Sequence, residues 1–217
     1  MAKINLLDTL PRVQRPIDEH AQISPDDRIL VWRLGKEYFD GTRQQGCGGY
    51  HYDGRWKSVV KRFQDYYGLS GESRVLDIGC AKGFLLHDFL EEIPGVTVFG
   101  LDISDYALRN ATEQVKPFLR MGNAKELPFA DNFFDLVVSI NSLHNILELH
   151  EVKMALSEIQ RVSRKHSFVS VGAYSDEEEK KKLDKWAVVA TVYLHCEDWE
   201  KLFEEVGYTG DYWWFKP

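Results

Sequence analysis

Two short segments constrain this chain more than any other part of it. Residues 75–83 read Val-Leu-Asp-Ile-Gly-Cys-Ala-Lys-Gly, and Gly100-Leu101-Asp102 closes the next apolar run. Val75 to Ile78 suits a short strand of a parallel sheet buried on both faces. Gly79 and Gly83 then bracket a tight turn into a helix whose apolar residues are Phe84, Leu85, Phe89, Leu90 and Ile93. Without a Cβ, glycine tolerates positive φ and lets a ligand approach the bare backbone. Asp102, 25 residues beyond Asp77, ends a second strand from Val96 to Leu101. In a nucleotide-type fold an acid there accepts hydrogen bonds from ribose hydroxyls. The layout therefore points to a nucleoside-containing cofactor.

The loop excludes two common alternatives. Three residues separate Gly79 from Gly83 and no third glycine follows after another two, so the dinucleotide pattern is absent. The Gly-x-x-x-x-Gly-Lys-Ser/Thr pattern of an ATP site is absent as well. The segment instead resembles motif I of class I S-adenosylmethionine-dependent methyltransferases, with Ala81 where the middle glycine is usual. Three further segments carry the same resemblance in the same order. Gly100-Leu101-Asp102-Ile103-Ser104 is similar to the second-strand motif. Arg120 to Ala124 with Leu127-Pro128-Phe129 is similar to the segment that frames adenine, and Phe134 to Ile140 to the fourth strand. The likeness covers residues 56 to 172.

The resemblance implies a Rossmann-like α/β fold, with a mostly parallel central sheet and helices on both faces. It implies S-adenosyl-L-methionine as cofactor and no metal. Asp102 is expected to hold the ribose hydroxyls and Asn123 and Ala124 to lie at the adenine edge, with Gly79, Cys80, Ala81, Gly83, Ile103 and Asn141 also expected to bind the cofactor. Asp77 is expected under the loop, near backbone amides or the methionine amino group, with a purely structural role as its alternative. Asn141 falls in the turn after the fourth strand, at the carboxyl edge where open α/β sheets bind ligands. His144 shares that turn and is the first candidate for a general base, since an unperturbed imidazole titrates near neutrality. The alternative is that it only shapes the pocket.

Ahead of these motifs, Tyr38-Phe39-Asp40-Gly41 and Gly48-Gly49-Tyr50-His51-Tyr52-Asp53-Gly54-Arg55-Trp56 form an aromatic, glycine-flexed stretch. It resembles an N-terminal signature of a bacterial subset of these methyltransferases, associated with polysaccharide and other small-metabolite gene clusters. Tyr50 is expected to face the cofactor, with His51, Tyr52 and Arg55 as acceptor contacts; an arginine there suits an anion. The alternative is a packed segment that caps the sheet.

The alternation of apolar runs places strands at 73–78, 96–101, 117–121, 134–140 and 167–173. Helices fall at 26–38, 56–67, 83–93, 104–115, 149–164 and 198–206. Ser104 suits an N-cap, and Val152, Leu156, Ile159 and Val162 give the fifth of these helices one apolar face. The charge-dense run 176–185 is expected to be a solvated helix start or loop, Trp186 to Leu194 a strand, and 212–215 a last strand. Residues 1–55 read as an N-terminal cap and 56–217 as the methyltransferase domain.

Net charge of −7 and a pI near 5.5 argue against a nucleic-acid partner, which usually meets a basic face. Cys47, Cys80 and Cys196 have neither metal-ligand spacing nor an even-numbered framework. Met1 to Asn5 lacks an apolar signal core, and no run approaches about 20 apolar residues. A cytoplasmic enzyme with a small-molecule acceptor, such as a sugar or other biosynthetic intermediate, is the resulting expectation, with no membrane association. Methylation of an RNA or protein, or a non-catalytic partner subunit of the same fold, are the alternatives. Oligomeric state stays open.

Overall fold

The structure, a computed structural model, describes residues 1–11, 24–42 and 45–217. In chain order these form α1 (Pro25–Val31), α2 (Lys36–Asp40), α3 (Lys57–Tyr67), β1 (Arg74–Ile78), α4 (Phe84–Glu92), β2 (Thr97–Asp102) and α5 (Asp105–Arg109). After them come β3 (Leu119–Met121), β4 (Phe134–Ile140), α6 (Leu149–Val162), β5 (Ser163–Tyr174), α7 (Glu177–Trp186), β6 (Leu194–His195), α8 (Cys196–Glu205) and β7 (Asp211–Phe215). A short 3₁₀ turn at Leu143–Asn145 sits between β4 and α6.

Strand residues alternate between two apolar layers, and this alternation builds the sandwich. Leu76, Ile78, Val137, Val169 and Val171 face a core closed by α6 and α8, where Trp199 and Phe203 are wholly buried. Val75, Leu136, Val138 and Phe168 face the opposite core, where Phe63 of α3 stacks on Phe89 of α4 and meets Phe168 edge-on. Helices on both faces of a parallel sheet follow from strands that are apolar on both sides. The strands pair in the order β3-β2-β1-β4-β5-β6, with β7 also on β5, and every pairing among the described residues is parallel. The order reverses between β1 and β4, so their carboxyl ends open a crevice suited to a ligand. Leu6 joins the α3–α4 core and Lys3 bridges Tyr212 of β7, tying the first residues to the sheet.

Several sequence expectations need correction. The helix at 26–38 is two helices, because Leu34 takes a left-handed φ of 49° and Gly35 follows. The helix at 104–115 is regular only to Arg109, since the Asn110 side-chain amide donates to the Tyr106 carbonyl and competes with the backbone. Trp186 to Leu194 is not a strand: Trp186 ends α7, and only Leu194 and His195 pair with β5. The amides of Thr191 and Val192 are instead spent on the His144 carbonyl, at 2.9 and 3.0 Å. The charged run does form a helix, α7, which Asp176 caps by accepting the Glu179 amide at 2.8 Å.

Candidate cofactor and acceptor site

A cavity of about 450 Å³ lies at the carboxyl ends of β1, β2 and β4. That size falls within the usual range of small-ligand pockets. The loop after β1 forms one wall. Gly79 there has φ of 78°, and a Cβ on it would come within 2.0 Å of Ser142 Oγ. Gly83 has φ of 72° and opens α4; a Cβ there would meet Val115 at 2.7 Å. Only glycine satisfies both the conformation and the space at these two turns. Ala81, also left-handed at φ 49°, lines the cavity without such a clash.

Asp102 ends β2 against this loop. Its Oδ2 accepts the Ala81 amide and its Oδ1 the Ser104 amide, both at 2.8 Å. Burial raises its pKa, partly opposed by those amides. Each carboxylate oxygen keeps a second lone pair for a ligand hydroxyl. Asp77 lies behind the loop, outside the cavity lining. Burial first, and the charge of Asp102 second, push its carboxyl up to about 8. Among the described residues its carboxylate has no hydrogen-bond partner.

The other cavity residues expected from sequence are Tyr50, Ile103, Asn123, Ala124 and Asn141, and all of them line it. Cys80 is buried behind the loop and Gly83 sits at the helix start, so neither reaches the lining. Asn141 takes a positive φ of 53° and accepts the Ser170 hydroxyl at 2.9 Å, which fixes its side chain at the β4 edge. Tyr50 packs its ring on Phe84 with centroids 4.8 Å apart. Burial raises the pKa of its phenol far above the ordinary range.

Three acceptor candidates lie elsewhere. His51 is exposed and outside the lining. Tyr52 turns to α4, where its hydroxyl donates to buried Asp88 and its ring meets His87. Arg55 is exposed and folds back on Asp53, with contacts of 2.6 to 2.9 Å. Local pairing with the neighbouring acid takes the guanidinium away from any anion in the cavity.

His144 also departs from expectation. It is buried outside the lining, and its Nδ1 accepts the Gly172 amide at 2.9 Å. The proton therefore sits on Nε2, and burial lowers the pKa to about 4. Trp199 Nε1 donates to the Gly172 carbonyl at 3.0 Å, so both the amide and the carbonyl of this β5 residue are held by side chains. A neutral ring with its only lone pair engaged cannot take a proton without breaking this bond; this geometry makes His144 a strut for the turn. The buried neutral imidazole favours folding above its ordinary value of 6.5, and that contribution is lost as pH falls from 6.5 towards 4. His144→Phe should therefore flatten the acid limb of stability measured by urea midpoints, while lowering stability near neutrality by about 1–3 kcal/mol through the orphaned Gly172 amide. A wild-type acid limb retained in that variant would refute the assignment.

Sequence reasoning missed the far side of the cavity. Leu34, Tyr38, Phe39 and Cys47 line it from the segment ahead of α3, and Ser142, Asn145, Ile146 and Leu147 from the turn before α6. Lys125 and Glu151 line it as an ion pair. The aromatic stretch at 38–39 and the turn at 141–145 carried a visible signal. Glu151 carried none, because only the sheet order brings α6 beside residue 125.

No group of three or more His, Cys, Asp or Glu residues among the described ones is placed to hold a metal ion. No helix among them is long and apolar enough to cross a membrane. The pattern of a cradle at Gly79, an acid closing β2 and a buried acid behind the loop fits S-adenosylmethionine.

Comparison with known proteins agrees. Residues 76–171 match the family described as a methyltransferase domain. The chain is 37% identical over 99 residues to the mitochondrial arginine-hydroxylase NDUFAF5 of Rattus norvegicus, covering 45% of this chain and 27% of that protein. It is 29% identical over 146 residues to a tRNA (carboxymethyluridine(34)-5-O)-methyltransferase of Arabidopsis thaliana, covering 67% and 34%. The chain thus spans about a third or less of the length of these two curated relatives. Among solved structures, the YcgJ protein of Bacillus subtilis superposes with a TM-score of 0.55 at 20% identity, over 68% of this chain and 66% of that one, a likeness of fold. The matched segment is similar to a methyltransferase domain, and its sheet order and glycine loop are those of the Rossmann-like fold of class I methyltransferases.

Proposed function

We propose that this chain transfers a methyl group from S-adenosylmethionine to an oxygen or nitrogen of a small-molecule acceptor. The observation that carries the reading is the cavity at the β1–β4 reversal, lined by Asp102 and backed by Asp77, a buried acid whose carboxyl is pushed up to about 8. The cofactor, when bound, supplies a sulfonium methyl with a good leaving group already attached. The chain's residues then have to hold and orient. Asp102 accepts the ribose hydroxyls, Asn123 and Ala124 border the adenine edge, and Ile103 packs beside it. Gly79 and Ala81 present bare backbone to the methionine part, and Asp77 favours its positive charge from behind. Tyr50 and its neighbours ahead of α3 exclude water, which is how positioning becomes rate.

Tyr38, Cys47, Ser142 and Asn145 also line the cavity, and we assign them to its acceptor end. These are neutral hydrogen-bonding groups, and Lys125 and Glu151 neutralise each other, which supports an uncharged hydroxyl or amine compound, such as a sugar or other biosynthetic intermediate. The acidic net charge and a cavity covered by its own N-terminal segment favour a small acceptor over RNA. The relatives carry names as different as a tRNA methyltransferase and an arginine hydroxylase, so the acceptor reading rests on this chain's own residues.

Calorimetry with the donor and with S-adenosylhomocysteine tests the cofactor half, and heat is expected with both. Methyl-labelled donor incubated with fractionated metabolite extract tests the acceptor half, and label should pass to a low-molecular-mass product. Label on RNA or protein that disappears at raised salt would overturn the small-molecule reading.

A further inference from the structure

Lys82 sits between Ala81 and Gly83, two of the three left-handed residues of the glycine loop, and it does not line the cavity. It is 5% exposed, an unusual position for lysine unless it is fully paired. All three donors of its ammonium are used. It donates to Asp40 Oδ1 at 2.7 Å, to Asp40 Oδ2 at 2.8 Å and to the Tyr50 carbonyl at 3.0 Å. Asp40 ends α2, ahead of the domain core. It also accepts the Tyr106 hydroxyl from α5 at 2.7 Å and the Tyr50 amide at 3.3 Å. Burial opposes its charge, but Lys82 and Tyr106 hold its carboxyl below the ordinary value.

Two consequences follow from these contacts. Both the amide and the carbonyl of Tyr50 are gripped by one ion pair, so the placement of a cavity-lining ring depends on a lysine it does not touch through its side chain. The same pair joins the glycine loop on one side to α5 on the other, across the segment that supplies Tyr38, Phe39, Cys47 and Tyr50 to the cavity wall. Ser104 Oγ donates to the Leu34 carbonyl at 2.6 Å and adds a second tie on the β2 side. An outward swing of this wall would have to break these contacts.

We propose that Lys82 is a positioning residue: with Asp40 it latches residues 36–42 and 45–50 over the cofactor cavity and sets how fast the cofactor and its demethylated product leave. The inference rests on the cofactor reading given above and extends it to a residue of the loop that does not line the cavity. A buried ammonium that loses its carboxylate is strongly disfavoured, so opening has to carry both partners into water. Release of product, and with it turnover, then follows the latch, as for other gated sites.

The test compares the full chain with Asp40→Asn, Lys82→Met and the double variant. Hydrogen exchange is read peptide by peptide, and the dissociation rate of S-adenosylhomocysteine is read by competition in stopped flow. Each single variant should speed exchange across 45–54 at least tenfold while β1 and β4 keep their protection. Product dissociation should rise at least tenfold, and the double variant should exceed the faster single by less than twofold, because both remove one interaction. Three outcomes would overturn the latch: unchanged exchange over 45–54, exchange raised equally across the sheet, or additive effects in the double variant. Unchanged product dissociation with a loosened segment would overturn its control of release. A wild-type chain that binds neither donor nor product would instead overturn the function proposed above and the cofactor half of this inference, and exchange would still decide the latch.

Discussion

Replacing Asp102 by alanine should abolish measurable donor binding at micromolar concentrations and loosen the glycine loop at the same time. The carboxylate does two things at once. It accepts the amides of Ala81 and Ser104, at 2.8 Å each, and it leaves a lone pair on each oxygen, which the proposed function assigns to the ribose hydroxyls. A hydrogen bond to a charged group is worth about 1.5–3 kcal/mol, so two lost from the ligand weaken binding by a hundredfold or more. The two amides left without an acceptor cost the fold about 1–3 kcal/mol each where they stay dry. Asp102→Asn separates the roles. Its single amide oxygen can serve either Ala81 or Ser104, and its NH₂ faces the other amide, so the variant should fold, with a lowered melting temperature, yet bind the donor at least tenfold more weakly. Calorimetry with donor, alongside thermal unfolding, reads both quantities. Unaltered donor affinity in folded Asp102→Asn would remove this acid from the cofactor site.

The parts of this site that were legible in the sequence are those whose geometry is local. The turn at Gly79–Gly83 is dictated by two residues that must adopt positive φ, and the acid at 102 by the length of one strand–helix–strand unit, so both are written in a window of about 30 residues. Asn123, Ala124 and Asn141 follow, because each stands directly after a strand whose carboxyl end opens on the crevice. Contacts that cross the sheet are different. Lys125 meets Glu151 only because α6 packs beside the loop after β3. Histidine at 144 looked like a base because its turn is in the right place; its burial, and the Gly172 amide that occupies Nδ1, are properties of β5 and α8. Arg55 and Tyr52 were misplaced for a related reason. An arginine two residues from Asp53 satisfies itself locally, and Tyr52 finds a buried acid on α4 that the aromatic spacing could not indicate. Apolar pattern likewise reads 186–194 as a strand, but the amides of Thr191 and Val192 pair with the His144 carbonyl, and of this run only Leu194 joins a ladder.

The second large effect is expected at Asp77, and it couples stability to function in opposite directions. The free chain holds this carboxyl at about 8, against an ordinary 3.8, because it is buried and lies near Asp102. Between those two values the native state binds a proton that the unfolded chain has released, so the contribution of Asp77 to stability declines as pH rises from about 4 to about 8. Asp77→Asn removes the titration. Its urea midpoint should change less than that of the wild type between pH 5 and pH 8, and at pH 8 the variant should be the more stable by an amount on the order of a few kcal/mol. Donor binding should move the other way. A cationic ligand near the loop favours the ionised acid, so wild-type affinity should rise by up to about tenfold per pH unit from pH 6 to pH 8, with a proton released on binding. In Asp77→Asn that dependence should vanish and affinity at pH 8 should fall at least tenfold. Calorimetry in two buffers of different ionisation enthalpy measures the released proton directly. If the wild type releases none and its affinity is level across this range, Asp77 is a buried neutral acid of the scaffold, and the positive charge of the ligand lies out of its reach.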